Sequence, residues 1–173
     1  MGRRDETDFL GWVESHRDGL RKTAFLMCGD WYLADDLVQD TLVRLFASWP
    51  RVSAAGDPGP YARKVLLNRF RDLLRRPASV REVSRPELPE SAVVDVYAVE
   101  GDRDRLIAGL ASLAFGQRAV LVLRYWEDMS VEQTAHILGT SPSTVRSQAS
   151  RGLASLRESM EQGPRTTPGE VVP

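Results

Sequence analysis

SVEQTAHILGTSPSTVRSQASRGLASLR, residues 130–157, decides the fold. Ser130 is a good N-cap, and Gln133, three residues on, can return a bond to the Ser130 backbone; together they make a capping box. Val131, Ala135 and Leu138 then fall inward at helical spacing. Gly139 supplies the left-handed residue that ends the helix. Ser141 can cap a second helix, with Pro142 in its first turn, where a missing N–H would have no partner anyway. In that second helix Val145, Ala149, Gly152 and Leu156 share one side. Ser143, Ser147, Ser150, Arg151 and Ala154 share the other, with Arg146 at the flank. Two short helices joined by a tight turn read as a helix-turn-helix.

The outer face of the second helix is small, hydrogen-bonding and arginine-bearing, with no acid before Glu158. An ordinary solvated face would mix in Glu and Asp. A major groove admits a helix, and such side chains can reach base edges and phosphates.

Upstream of the hairpin, residues 104–114 predict a helix with Leu106, Leu110 and Leu113 inward. Residues 117–126 predict another, carrying Val120, Leu121, Leu123 and Tyr125. Residues 77–102 read as a linker: Pro77, Pro86 and Pro89 punctuate it, and it turns acidic after Arg85. Such a linker sets no fixed spacing between the parts it joins. The tail, residues 162–173, has the composition of a disordered segment. The domains expected are residues 1–80 and 104–161, with 81–103 between them.

Residues 61–76 predict a second informative helix. Leu66, Leu67, Phe70, Leu73 and Leu74 form its apolar side, while Tyr61, Lys64, Asn68, Arg71 and Arg75 project on the other. Tyr61 to Arg85 holds eight basic residues and two acids, a local balance of +6 in a chain of net charge −1. A basic stripe with an aromatic and an amide suits backbone contact plus base stacking. Residues 50–60, rich in Pro and Gly, predict a loop.

Residues 34–49 are the most strongly amphipathic. Ala34, Val38, Thr41, Leu42, Leu45 and Trp49 make the inner stripe. Asp36, Asp40, Val43 and Ala47 lie opposite, with Gln39 beside them. Carboxylates in a helix's first half favour its dipole; an outer face that is acidic at one end and apolar at the other suits a partner protein. Residues 8–27 predict a first helix with Phe9, Val13, His16, Leu20, Ala24 and Met27 inward, His16 being read as a packed core side chain.

The fold class expected is all-α, two small helical domains joined by an acidic flexible linker. A single cysteine, Cys28, allows no internal disulfide and fits a reducing cytoplasm. No apolar run approaches the ~20 residues that span a bilayer, and the acidic first ten residues do not read as a secretory signal. No metal-ligand spacing, phosphate loop or nucleophile elbow is present in the sequence, so no metal, cofactor or catalytic residue is assigned. From the residues alone, a stand-alone helix-turn-helix regulator whose first domain senses or dimerises is open. A helical-bundle enzyme or metalloprotein has less support.

Three stretches carry a family resemblance: LADDLVQDTLVRLFASW (33–49), YARKVLLNRFRDLLRR (61–76) and LRYWEDMSVEQTAHILGTSPSTVRSQASR (123–151). In that order they resemble an extracytoplasmic-function (ECF) sigma factor of bacterial RNA polymerase, in the SigE-like branch. The resemblance implies a first domain that grips the polymerase β′ clamp and reads and melts the −10 element. It implies a second that reads the −35 element and touches the β flap, and many relatives are held by an anti-sigma protein. By position, Asp36, Gln39 and Asp40 match the clamp-binding motif. Asn68 matches an asparagine used near the −10 element, and Tyr61 stands where an aromatic is common; Lys64, Arg71 and Arg75 continue that stripe. Residues 52–60 correspond to the segment that captures a flipped base. Arg146, Ser147, Gln148, Ser150 and Arg151 match the −35-reading helix, with Ser143 and Thr144 at its start. Gln148 departs from the Lys or Arg of many members, which bears on the −35 sequence read.

Overall fold

Gly29 and Asp30 make the first corner. In the computed structural model, which describes residues 2–76 and 100–162, α1 (Arg3–Cys28) stops where Gly29 takes φ 73°, a left-handed turn that glycine tolerates. Asp30 then caps α2 (Trp31–Ala54), its carboxylate accepting from the Tyr32 and Leu33 N–H groups at 2.8 and 3.0 Å. α3 (Gly59–Arg75) follows a short turn in which Asp57 accepts from the Gly59 N–H at 2.9 Å. Phe9, Leu20, Ala24 and Met27 of α1 meet Ala34, Val38, Leu45 and Trp49 of α2 and Leu66, Leu67 and Phe70 of α3. Phe9 closes the far end edge-on to Phe46 and Trp49, with centroids 5.0 and 5.2 Å apart.

α2 is longer than its periodicity predicts: it passes through Pro50, where a loop was expected. Val52, one turn past Trp49, is buried, and Ser53 Oγ donates to the Trp49 carbonyl at 2.7 Å. Core burial on that face outweighs the single ladder bond that proline removes. Leu74, expected inward, is exposed, and His16 is half-buried, stacked on Trp12 at 4.4 Å.

The second half comprises α4 (Glu100–Ser112), α5 (Phe115–Leu121), a π-helical turn (Val122–Trp126), α6 (Val131–Leu138) and α7 (Pro142–Gln162). The capping box forms in both directions: Ser130 Oγ accepts from the Gln133 N–H at 3.1 Å, and Gln133 Oε1 accepts from the Ser130 N–H at 2.8 Å. Gly139 ends α6 at φ 63°, and Ser141 Oγ accepts from the Thr144 N–H at 3.1 Å to start α7. Val145 is fully buried with Val120 and Ala135. Tyr125, expected inward, is exposed, because the π turn shifts the register of the residues after Leu123. Among the described residues there are seven α-helices and no strand. The linker and tail expectations lie outside the described residues over 77–99 and 163–173; at their edges they are corrected, since residues 100–103, expected as linker, open α4, and Gln162, expected in the tail, ends α7.

The two halves pack against each other. Leu26 of α1 joins Leu110, Leu113 and Leu121, and Phe70 of α3 faces Phe115 of α5 at 6.3 Å. Arg118, buried, donates to the Met27 and Ala111 carbonyls at 2.5 Å each and to Leu113 O at 3.1 Å. Those carbonyls end α1 and α4, where a cation answers both the open acceptors and the dipoles.

Candidate nucleic-acid and partner interface

Three faces carry the candidate residues. The first is the outer side of α7. Ser143, Thr144, Arg146, Ser147, Ser150 and Arg151 are all exposed. Ser141 Oγ lies 2.8 Å from both Ser143 Oγ and Thr144 Oγ1, and Ser147 Oγ donates to the Thr144 carbonyl at 3.0 Å. The first turn therefore presents ordered hydroxyls. Arg146 leans toward α6, its Nη2 3.6 Å from Glu132 Oε1. Both side chains are solvated, so that pair is weak and can yield to a phosphate. Gln148 differs from its expected neighbours. It is half-buried, its amide beside Gly116 at the start of α5, on the flank rather than the crest of the helix.

The second face is α3. Tyr61, Lys64, Asn68, Arg71 and Arg75 form one stripe, as expected, with Lys64 and Arg75 exposed and the other three half-buried. Tyr61 Oη donates to Ser48 Oγ at 3.2 Å, and Arg71 donates to Asn68 Oδ1 at 2.8 Å. Tyr61 and Asn68 line an open groove of about 460 Å³ between α3 and α2, with Arg44, Ala47, Ser48, Val65, Arg69 and the acidic Asp72. An aromatic, an amide and guanidinium groups at one groove can stack a base, bond its edge and hold its phosphate.

The third face is α2. Asp36 and Gln39 are exposed, as are Val43 and Ala47 beyond them. Asp40 is half-buried and already engaged, in an ion pair with Arg69 of α3 and 3.6 Å from Arg44 Nε. The acidic patch thus offers Asp36 and Gln39 outright, while Asp40 also ties α2 to α3. Asp35 turns away from it, paired at 2.5 Å with Arg21, which stacks over Trp31 at 4.4 Å.

Sequence reasoning missed a set of polar residues at the seam between the halves: Thr23, Arg63, Arg118 and Glu127. Glu127 Oε2 accepts from Arg63 Nε and Nη2 at 2.8 and 2.6 Å, and its Oε1 accepts from Thr23 Oγ1. The signals were present but ambiguous: a threonine on the apolar stripe of α1, and an arginine leading into the run AVLVL.

Among the described residues, no helix is long and apolar enough to cross a membrane, and no His/Cys/Asp/Glu cluster could hold a metal. The description sigma-70 region 2 matches residues 12–79, and sigma-70 region 4 matches residues 103–156. The chain is 37% identical over 161 residues to the RNA polymerase sigma-E factor of Streptomyces avermitilis, covering 93% of this chain and 89% of that protein. Over 153 residues it is 37% identical to the sigma-E factor of Streptomyces coelicolor, covering 88% and 86%. It is similar in structure to the sigma factor RpoE of Bartonella quintana, solved in complex with the anti-sigma factor NepR. That match has a TM-score of 0.74 and 25% identity, and covers 89% of this chain and 97% of that one. With both halves matched in order over most of its length, the chain belongs to the RNA polymerase sigma factors of the sigma-70 family, in their ECF branch.

Proposed function

We propose that the chain directs RNA polymerase to specific promoters and starts transcription there, as a dissociable subunit without catalysis of its own. One observation supports this above the others: three chemically distinct faces on two packed helical units. They are an acidic patch on α2, a groove between α2 and α3 lined by Tyr61, Asn68 and arginines, and an outer face of α7 with no acid before Glu158. A stand-alone regulator would need only the last.

In this reading Asp36, Gln39 and Asp40 engage the β′ clamp of the core enzyme. Tyr61, Lys64, Asn68, Arg71 and Arg75 engage the −10 element and its melted strand. Ser143, Thr144, Arg146, Ser147, Ser150 and Arg151 enter the −35 major groove. Gln148 acts from the flank, on a phosphate or on the first turn of α5. The β flap meets the same second half. Core polymerase places this work in the cytoplasm. By likeness to the sigma factor RpoE, solved in complex with NepR, an anti-sigma protein is a further partner. Run-off transcription on genomic fragments with purified core enzyme tests the reading. Discrete transcripts that depend on both chain and core support it; a tight, specific footprint by the chain alone, with no core-dependent transcript, would reject it.

A further inference from the structure

Asn68 and Arg71 stand one turn apart on α3, and the bond between them decides which way the Asn68 amide faces. Arg71 Nη2 donates to Asn68 Oδ1 at 2.8 Å. A guanidinium carries N–H donors and no acceptor, so only the carbonyl end of the amide can bond to it. Nδ2 is left as the free end, and it makes no hydrogen bond among the described residues. Arg71 is half-buried, with its Nε enclosed and without a hydrogen-bond partner. Lys64 and Arg75 on the same stripe are exposed. Arg71 is therefore drawn in beside Asn68 instead of standing out in water as a cation for a phosphate.

The groove around Asn68 is held by neighbours in the same way. Tyr61 lines it with Asn68, and its Oη is tied to Ser48 Oγ at 3.2 Å. Arg44 and Arg69 line it as well, both beside Asp40, and Asp72 adds a carboxylate one turn beyond Asn68. Aromatic and amide are thus fixed before a ligand arrives, which selection between similar bases requires. The orientation of the amide bears on base identity. An asparagine that reads adenine uses both ends, Oδ1 accepting from N6–H and Nδ2 donating to N7. At Asn68 an incoming amino group would meet the Arg71 guanidinium already standing at Oδ1. Guanine presents acceptors at N7 and O6, and thymine at O4; adenine and cytosine present an amino group at the corresponding position.

We propose that Arg71 is a positioning residue of this groove: by holding Asn68 Oδ1 it leaves Nδ2 to meet the strand, which selects a keto base (guanine or thymine) over an amino base (adenine or cytosine). The inference rests on the promoter reading for its ligand, and the test separates a failure of one from a failure of the other. Arg71 acts through the amide, so its removal should free Oδ1 and make the two-ended adenine pair available. A purely structural role would weaken every sequence alike and leave the order of bases unchanged.

The test uses holoenzyme of the full chain and fork-junction duplexes of a promoter found by the run-off assay. Each base is placed in turn at every non-template position of the −10 element, and binding is titrated. In the unmodified chain one position should favour guanine or thymine over adenine about tenfold. Arg71→Met should raise the relative affinity for adenine about tenfold at that position alone. Arg71→Lys, which still offers Oδ1 a donor, should keep the keto preference. In an Asn68→Ala background, Arg71→Met should shift no preference. If Arg71→Met loses helical signal, Asn68→Asp takes its place: it keeps a partner for Arg71 and removes the Nδ2 donor, so preference should pass to an amino base. An unchanged order of bases in the folded variant, or an equal shift in Arg71→Lys, would overturn the positioning role. So would a uniform loss over all sequences with a lower salt dependence, the mark of a phosphate contact. No base preference at any position in the unmodified holoenzyme would reject the promoter reading, and the proposal with it.

Discussion

Asp40 on α2 and Arg69 on α3 form an ion pair that joins the acidic face of one helix to the basic helix beside it. Asp40 is thus both a candidate core contact and a strut between the two helices that line the groove. Asp36, one turn earlier, is exposed and carries only the first role. The two carboxylates should separate experimentally. Asp36→Arg is expected to weaken core binding at least tenfold with no change in melting temperature. Asp40→Ala should weaken core binding and also cost about 0.5–1 kcal/mol, since the pair is partly solvated, or a few degrees of Tm. Equal Tm for the two variants would remove the strut.

Arg118 presents a sharper stability test. Its guanidinium serves three carbonyls at two helix ends, and burial pushes its pKa below the ordinary value without a carboxylate beside it. Arg118→Met keeps the volume and strands the acceptors, so a loss of roughly 3 kcal/mol is expected. Thermal and urea unfolding of the variant measure it directly. A loss below about 1 kcal/mol would mean that water replaces the guanidinium.

What was legible in the sequence was local. Ser130, Gln133, Gly139 and Ser141 each act on partners no more than four residues away, Pro142 opens α7, and each does what its chemistry predicts. The stripes of α1, α2 and α3 were legible for the same reason: a 3.6-residue period needs no knowledge of the partner. Pro50 misled because local helix breaking lost to tertiary burial of Trp49 and Val52. The π turn at Val122–Trp126 has no compositional mark, and with it went the placement of Tyr125. The seam was illegible because its contacts are distant: Thr23 and Glu127 are 104 residues apart. Of the candidate site, the faces were readable as patterns. Which of their members are held by neighbours (Asp40 by Arg69, Arg146 by Glu132) was not.

Cys28 supplies a pH prediction. Its Sγ donates to the Asp30 carbonyl at 3.1 Å, and burial pushes the thiol pKa up to about 11 from 9.0. The folded state therefore holds the thiol proton more tightly than the unfolded state does. That contribution to stability is complete below the ordinary value and is lost as pH climbs through about 11. Alkylation by iodoacetamide at pH 8 should be much slower in the folded chain than in urea, and Cys28→Ser should flatten the stability loss between pH 9 and 11. Rapid modification of the native chain at pH 8 would contradict the burial.

The melted strand, in the proposed reading, meets Tyr61 and Asn68. Stacking on an aromatic is worth ~1–3 kcal/mol per base, and this should appear in opening rather than in the closed complex. Tyr61→Ala and Asn68→Ala holoenzymes are expected to bind promoter duplex within about twofold of the unmodified one. Their promoter thymines should show strongly reduced permanganate reactivity. Full reactivity in both would move the strand away from the groove.

In the proposed reading α7 enters the −35 groove, and there Arg146 and Arg151 can be told apart. Arg151 is exposed on α7 with Ser147 one turn before it, on the face that the proposed reading lays in the groove. Arg146 sits at the flank, held 3.6 Å from Glu132, where a phosphate rather than a base edge would meet it. Arg151→Ala should therefore cost ~1–3 kcal/mol on a good promoter and relax preference at one −35 position, as loss of a base contact does. Arg146→Ala should weaken all promoters alike and lower the salt dependence by about one counterion. Glu132→Gln removes the competing carboxylate, so it should strengthen binding uniformly, without altering sequence preference. Holoenzyme titrations across a −35 mutant series at several salt concentrations read all three. A sequence-dependent loss in Arg146→Ala, with a uniform one in Arg151→Ala, would reverse the docking angle of the helix.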